Sequence, residues 1–69
     1  MKYEYLLLKR NGNKNGLVYD KRFFDNSKDA RKDFRKNDVL LKCKPYSVYR
    51  DSFGWSVNQT DVVKKYENK

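Results

Sequence analysis

The sequence contains no histidine and only one cysteine, Cys43, and both shortages limit its chemistry. Without histidine the chain lacks the commonest general base at neutral pH and every Ser-His or Cys-His nucleophile pair. One cysteine excludes a disulfide within the chain, and a structural zinc site would lack its usual ligands. We therefore expect a protein that is not an enzyme and that needs no cofactor or metal.

Long apolar runs are missing as well. The longest, Leu6-Leu7-Leu8, is shorter than the ~7 residues of a signal-peptide core or the ~20 residues of a membrane span. Isoleucine is absent, whereas twelve lysines and seven asparagines are present, and this amino-acid composition fits a phage or mobile-element origin. We expect a cytoplasmic protein with no membrane contact and with Cys43 reduced.

The chain is short and strongly basic. Its 69 residues suit a single domain, residues 1–69, because nothing leaves room for a second core. The net charge of +8 favours an anionic partner, such as DNA, RNA or an acidic protein surface. Residues 21–50 hold ten lysines and arginines against four aspartates, so an anion should settle there. Although 38% of the residues are charged, 16% are aromatic, which favours a folded chain.

Residues 3–24 predict a β-hairpin. Two runs rich in aromatic and aliphatic residues, 3–10 and 17–24, flank a turn that contains two Asn-Gly pairs and Lys14. A symmetric six-residue loop would place Arg10 opposite Leu17. One face would then be a core, formed by Leu6, Leu8, Leu17, Tyr19 and Phe23. The other face would interleave rings and cations, formed by Tyr3, Tyr5, Leu7, Lys9, Val18, Asp20, Arg22 and Phe24.

A helix should follow and begin at about Ser27, because Asn26 and Asp29 have the spacing of a capping box. It would end near residues 37–38, with Ala30 and Phe34 on its apolar side. Its opposite side would carry five cations, namely Lys28, Arg31, Lys32, Arg35 and Lys36. An alternative interpretation is an ordinary solvated face, on which Asp29 and Asp33 form weak ion pairs with Lys32 and Lys36.

The second half of the chain predicts more strands. Residues 39–44 and 46–50 alternate in character, with Pro45 at an edge or bulge, and residues 51–54 fit a turn before a strand at 55–57. Residues 58–69 are compatible with a short C-terminal helix that carries Val62, Val63 and Tyr66. The predicted fold class is α+β: a small two-layer domain in the order β-β-α-β-β, with an antiparallel sheet packed on one helix.

Two sets of residues are candidates for nucleic-acid binding. Phosphate contacts are expected from the helix cations and neighbouring basic strand residues, and Tyr5 is added for stacking. The predicted binding residues are Lys28, Arg31, Lys32, Arg35, Lys36, Arg22, Lys42, Lys44 and Tyr5. The second set places the rings of Tyr3, Tyr5, Tyr46, Tyr49 and Trp55 among the cations Lys9, Arg22, Lys42, Lys44 and Arg50. The alternative for these rings is cross-strand packing in the core.

A strand that ends in Phe24, followed by a helix opened by Asn26-Ser27-Lys28-Asp29-Ala30, resembles the strand-to-helix step of the arm-type DNA-binding domains of phage integrases and of AP2-like domains. The resemblance covers about a quarter of the chain, residues 17–34. It implies a sheet that reads a DNA groove. Only two strands precede the helix here, whereas those domains have three, and no site residue is carried over.

Three functions therefore remain open. The first is a nucleic-acid-binding protein, on DNA or RNA, that mainly recognises the phosphate backbone. The alternative is a small inhibitor or adaptor that binds a host protein with Tyr and Arg anchors. A third is a homodimer formed through an edge strand at residues 46–50, so that the chain is expected to be a monomer or a weak homodimer.

Overall fold

The chain folds around a four-stranded antiparallel sheet, seen in a computed structural model that describes residues 2–13, 16–52 and 54–69 and, for 11–13 and 16–19, the backbone alone. The elements are β1 (Glu4–Asn13), β2 (Gly16–Phe24), α1 (Ser27–Asp33), β3 (Val39–Cys43), β4 (Val48–Asp51), β5 (Gly54–Val57), a 3-10 turn (Gln59–Asp61) and β6 (Val62–Glu67). The sheet order is β2-β1-β3-β6, and β4 and β5 form a separate two-stranded sheet. The α+β class, with an antiparallel sheet and one α-helix in the described part of the chain, is confirmed.

The β1–β2 hairpin forms, but its predicted register is wrong by two residues. Arg10 lies opposite Tyr19 rather than Leu17, and pairing continues as far as Asn13 and Gly16. Backbone hydrogen bonds therefore extend into the Asn-Gly segment that was expected to be loop. A shift of two residues leaves every side chain on its predicted face, because strand side chains alternate. The loop tip with Lys14 and the side chains of residues 17–19 lie outside the described part.

One face of the main sheet, here called the helix face, packs against α1. Leu7, Ala30 and Leu40 are fully buried there. Four part-buried rings surround them: Tyr5, Phe24, Phe34 and Tyr66. This corrects the prediction that Leu7, Tyr5 and Phe24 belong to a ring-and-cation surface. The run Leu6-Leu7-Leu8 places apolar residues on both faces, as is typical of a strand that is covered on both sides.

The opposite face, here called the hairpin face, is partly covered by the β4–β5 hairpin. Phe23 of β2 stacks on Trp55 of β5, with ring centroids 4.9 Å apart. The backbone N–H of Val48 donates to the Glu4 carboxylate at 3.1 Å, which ties β4 to β1. Leu6 is buried on this face. The main sheet therefore lies between the helix and the second hairpin, rather than in a two-layer arrangement.

The helix begins where the sequence predicts and ends earlier. Asn26 is the N-cap, and its side-chain oxygen accepts the backbone N–H of Asp29 at 2.8 Å. Asp33 is the last helical residue and Phe34 is extended. Arg35 and Lys36 therefore follow the helix, and the prediction that they extend its cationic side is wrong. The following chain is held instead by Asp38, whose carboxylate accepts the Arg35 N–H at 2.8 Å.

The C-terminal segment is a strand, and the predicted helix at residues 58–69 is wrong. Only Gln59–Asp61 forms a short 3-10 turn, after which Val62–Glu67 pairs antiparallel with β3. A bulge at Lys42 and Cys43 shifts the register of this pairing. The two adjacent valines and the tyrosine have high β propensity, and pairing satisfies the backbone groups of β3 that would otherwise form an open edge.

Candidate nucleic-acid interface

The helix covers the helix face only in part. It lies mainly over β1 and β2, so the half of this face formed by β3 and β6 is more open. Lys42 of β3 lies directly opposite Lys64 of β6 in the antiparallel register. Side chains of directly opposed residues stand about 5 Å apart at their Cβ atoms and share one face of the sheet. The fold therefore places two lysines side by side beyond the edge of the helix.

Two tyrosine rings and an arginine complete this cluster. The Lys42 ammonium lies 4.2 Å from the centroid of the Tyr3 ring. The Lys64 ammonium lies 5.2 Å from the centroid of Tyr66, and the Arg31 guanidinium of the helix lies 5.7 Å from the same centroid. We call these five residues, Tyr3, Arg31, Lys42, Lys64 and Tyr66, the basic strip. Cation–π contacts hold its charged groups over rings instead of over carboxylates.

The cations of the basic strip carry uncompensated charge. In residues 2–13, 16–52 and 54–69, no carboxylate forms an ion pair with Arg31, Lys42 or Lys64. Other cations of the chain do have acidic partners, as Lys2 has in Asp25 and Lys65 has in Glu67. Three unpaired cations beside two aromatic rings have the composition that binds phosphates and stacks bases.

The remaining cations predicted on the helix are exposed and are not among the contacts of the basic strip. Lys28 and Lys32 are exposed on α1, and Arg35 and Lys36 are exposed directly after it. The alternative pairing of Asp29 with Lys32 and of Asp33 with Lys36 is wrong. The Asp29 carboxylate accepts the side-chain N–H of Asn26 at 3.0 Å, and Asp33 turns towards the sheet.

Lys9 and Arg22, in contrast, are engaged in the structure. The Lys9 ammonium donates to the backbone oxygen of Asp33 at 2.7 Å and lies 3.4 Å from a carboxylate oxygen of Asp38. Arg22 donates to the Asp33 carboxylate at 2.8 Å. Arg22 was predicted to bind nucleic acid, and in the structure it has this partner within the protein. Tyr5, another predicted residue, packs against the buried core under the helix.

These contacts lower the pKa values of two carboxylates, Asp38 and Asp33. Burial opposes ionisation of Asp38, but the backbone N–H groups of Arg35 and Arg10, together with Lys9, outweigh it and lower the pKa of Asp38 below its usual range. Burial likewise opposes ionisation of Asp33, and the hydrogen bonds and charges of Lys9 and Arg22 lower its pKa. Both carboxylates are therefore charged at neutral pH and hold the helix end on β1 and β2.

The ring-and-cation surface predicted from the sequence is divided by the fold. Trp55 packs on Phe23, with Arg50 5.7 Å from its ring centroid, whereas Tyr46 is 97% exposed on the turn after β3. The side chain of Lys44, a predicted binding residue, is exposed next to that turn. Only Lys42 and Tyr3 from this set lie in the basic strip.

Cys43 is fully buried. Burial, with the Glu4 carboxylate nearby, raises the pKa of its thiol to about 11, so the thiolate is scarce at neutral pH. No cluster of cysteine and acidic residues in the described ranges has the composition of a metal site. In the same ranges, no helix is long and apolar enough to cross a membrane.

Sequence reasoning missed Lys64 and Tyr66 as site residues. The C-terminal segment was interpreted as a helix rather than as a strand of the sheet. Nothing in that interpretation placed these two residues beside Lys42. As a strand, residues 62–67 place Lys64 and Tyr66 on one side by simple alternation. The signal that would have found them is the Val-Val-Lys-Lys-Tyr pattern, which has more β-branched and aromatic character than helical character.

Comparisons with known proteins identify no relative of this chain. No protein-family model matches the chain, and neither a curated protein nor a solved structure matches it. The likeness of residues 17–34 to integrase arm-type domains therefore remains a prediction.

Proposed function

We propose that this protein binds nucleic acid without enzymatic activity, mainly through the phosphate backbone, and that the basic strip is the centre of its interface. The observation that carries the proposal is that Arg31, Lys42 and Lys64 surround two tyrosine rings and have no described acidic partner. Counterion release from phosphates drives such binding, and bases can stack on exposed ring surface. The neighbouring helix cations widen the positive field.

Titration of labelled oligonucleotides at several salt concentrations tests this proposal. Contacts with three to five phosphates predict a slope of roughly −3 to −5 in a plot of log K against log salt. Fluorescence anisotropy with single-stranded and double-stranded 15-mers, of DNA and of RNA, would also show which class is preferred. Absence of binding to every oligonucleotide at low salt would refute the proposal.

Charge reversal locates the interface. The double substitution Lys42→Glu and Lys64→Glu should weaken binding at least tenfold and flatten the salt dependence. A matched control is Lys21→Glu with Lys65→Glu, which changes the net charge equally on the hairpin face, where the register places both residues. Circular dichroism checks that both variants fold. If the control loses as much affinity as the strip variant, net charge rather than the strip determines binding.

A second substitution separates the strip from the rest of the helix surface. Replacing Lys28, Lys32, Arg35 and Lys36 by Gln leaves the strip intact and removes four exposed cations. We expect a smaller loss of affinity per charge than for Lys42 and Lys64, because none of these four groups forms a cation–π contact with a ring of the described residues. A larger loss per charge would move the centre of the interface to the helix, as the sequence alone predicted.

A protein partner is a second candidate, supported by one observation on the hairpin face. A cavity of about 550 Å³ lies beside β6, lined by apolar groups of Leu8, Leu41, Val57 and Val63 with Lys64 and Lys65 at its side. These groups suit a protein that presents apolar side chains next to carboxylates. The substitution Val63→Asp should abolish a nuclease-resistant, stoichiometric complex with such a host protein and leave oligonucleotide binding unchanged.

A further inference from the structure

The turn between β3 and β4 holds a tyrosine where glycine is normally found. The Ser47 backbone N–H donates to the Lys44 carbonyl at 3.2 Å, which closes a four-residue turn with Pro45 in its second position. Tyr46 in the third position has a φ of 59°. This geometry is that of a type II turn, in which the third residue is left-handed and glycine or asparagine is favoured. A tyrosine in this conformation is disfavoured by its Cβ.

Packing does not compensate for this strain. The Tyr46 side chain is 97% exposed, whereas Phe23 and Trp55 stack on each other and Tyr66 packs against the core. A glycine would satisfy the same turn without the steric conflict. An exposed aromatic side chain at a strained position indicates a role in binding rather than in folding.

The surroundings of Tyr46 indicate what it binds. A cavity of about 400 Å³ beside the ring is lined by Lys2, Glu4, Asp25 and Pro45 as well as Tyr46. Both carboxylates already accept hydrogen bonds within the protein, Glu4 from the Val48 N–H and Asp25 from the Asn26 side chain. The Asp25 carboxylate also lies 3.8 Å from the Lys2 ammonium, so one of the two negative charges has a cationic partner.

The chain that leads into the turn is basic. Lys44, which precedes Pro45, has an exposed side chain, and Lys42 lies two residues further back in the basic strip. An aromatic ring in solvent, a cavity beside it whose lining includes charged side chains, and an exposed lysine two residues before it are the parts of a site that stacks an unpaired base and holds its phosphate. A protein partner would contact the aromatic ring, but the lysines near it in the chain favour a ligand that carries phosphates.

We propose that Tyr46 stacks an unpaired nucleobase, with the polar edge of the base in the adjacent cavity and its phosphate near Lys44. This inference rests on the proposed nucleic-acid binding and deepens it, because it makes the preferred ligand single-stranded. It also explains why the turn contains a residue that costs the fold stability.

Tyr46→Gly tests the proposal with two opposite readouts. The melting temperature should rise by about 5 °C, because glycine relieves the left-handed strain. Affinity for a 15-nucleotide deoxythymidine oligomer should fall about 5- to 100-fold, because stacking on one ring is lost. Affinity for the same oligomer with abasic sites throughout, and for a 15-base-pair duplex, should not change.

Two further variants serve as controls. Tyr46→Trp keeps a large aromatic surface and should retain the affinity for single strands. Tyr49→Ser removes another exposed tyrosine outside the turn and should leave binding unchanged. Loss of affinity in Tyr46→Gly that is equal for the abasic oligomer would contradict stacking.

The failure of this inference differs from the failure of the proposed function. If Tyr46→Gly binds the deoxythymidine oligomer as tightly as wild type while the Lys42 and Lys64 double variant does not, nucleic-acid binding stands and the stacking role of Tyr46 is wrong. If wild type binds no oligonucleotide, both proposals are wrong. If the melting temperature falls in Tyr46→Gly, the argument from strain is wrong.

Discussion

Replacing Asp38 by asparagine tests the polar network that joins the helix end to the sheet. Asp38 is 3% exposed, and its two carboxylate oxygens accept the backbone N–H groups of Arg10 at 3.0 Å and Arg35 at 2.8 Å. The Lys9 ammonium lies 3.4 Å away. Asparagine keeps one acceptor oxygen, but its amide N–H₂ then faces an N–H donor and an ammonium.

The expected cost follows from this geometry. One charge-assisted hydrogen bond is lost and one buried donor is left unsatisfied, which amounts to about 2–3 kcal/mol of the free energy of unfolding. For a domain of this size, each 1 kcal/mol shifts the melting temperature by roughly 4–8 °C, so a decrease of about 10–20 °C is expected. Asp25→Asn is the matched control, because that carboxylate is mostly exposed and its contacts are at the surface, a hydrogen bond from the Asn26 side chain and a 3.8 Å ion pair with Lys2.

The pH dependence provides a second readout. The pKa values of Asp33 and Asp38 are lowered by folding, so their contribution to stability is complete above the unfolded value near 3.8 and disappears as the pH falls through the folded values. The stability gap between wild type and Asp38→Asn should therefore narrow below about pH 3.8. Urea unfolding followed by circular dichroism between pH 2 and 7 measures this. If Asp38→Asn and Asp25→Asn have the same melting temperature at pH 7, the contacts of Asp38 do not stabilise the fold.

Three further predictions concern other contacts. Asn26→Ala removes the side-chain oxygen that accepts the Asp29 N–H at the start of the helix. The free energy of unfolding should fall by about 1 kcal/mol, measured by urea unfolding; an unchanged midpoint would mean that packing alone holds the helix. Trp55→Ala removes the stack on Phe23 and should cost about 2–4 kcal/mol of the free energy of unfolding, measured by urea unfolding; retention of stability would show that the β4–β5 hairpin is not held by this ring. Native Cys43 should react with a thiol reagent at least a hundredfold more slowly than in 6 M guanidinium, because it is buried with a raised pKa; rapid native labelling would contradict the packing of β3.

Local features of the chain were predictable where their cause lies within a few residues. The N-cap at Asn26 depends on one side chain and the N–H three residues later, and the β1–β2 hairpin depends on two apolar runs around an Asn-Gly turn. The α+β class follows from such signals. Asn37, which has a φ of 70°, is another case, because asparagine tolerates the left-handed conformation near the predicted helix end.

The candidate site was predictable only in part. Arg31 and Lys42 belong to the predicted binding residues and lie in the basic strip, whereas Arg22 has an internal partner in Asp33. The difference between Arg22 and Lys42 does not appear in the sequence, since both are basic residues on strands. It depends on where the helix lies over the sheet.

By itself, the sequence determined the charge, the helix start, the first hairpin and the face of each residue in its two strands, because these follow from composition and from the alternation of side chains. The tertiary structure decided the rest. The helix stops at Asp33 because Lys9 donates to the Asp33 backbone oxygen and Asp38 accepts the Arg35 N–H, and residues 62–67 become a strand because β3 pairs with them. That pairing brings Lys64 opposite Lys42, and contacts between segments so far apart in the chain have no local signature.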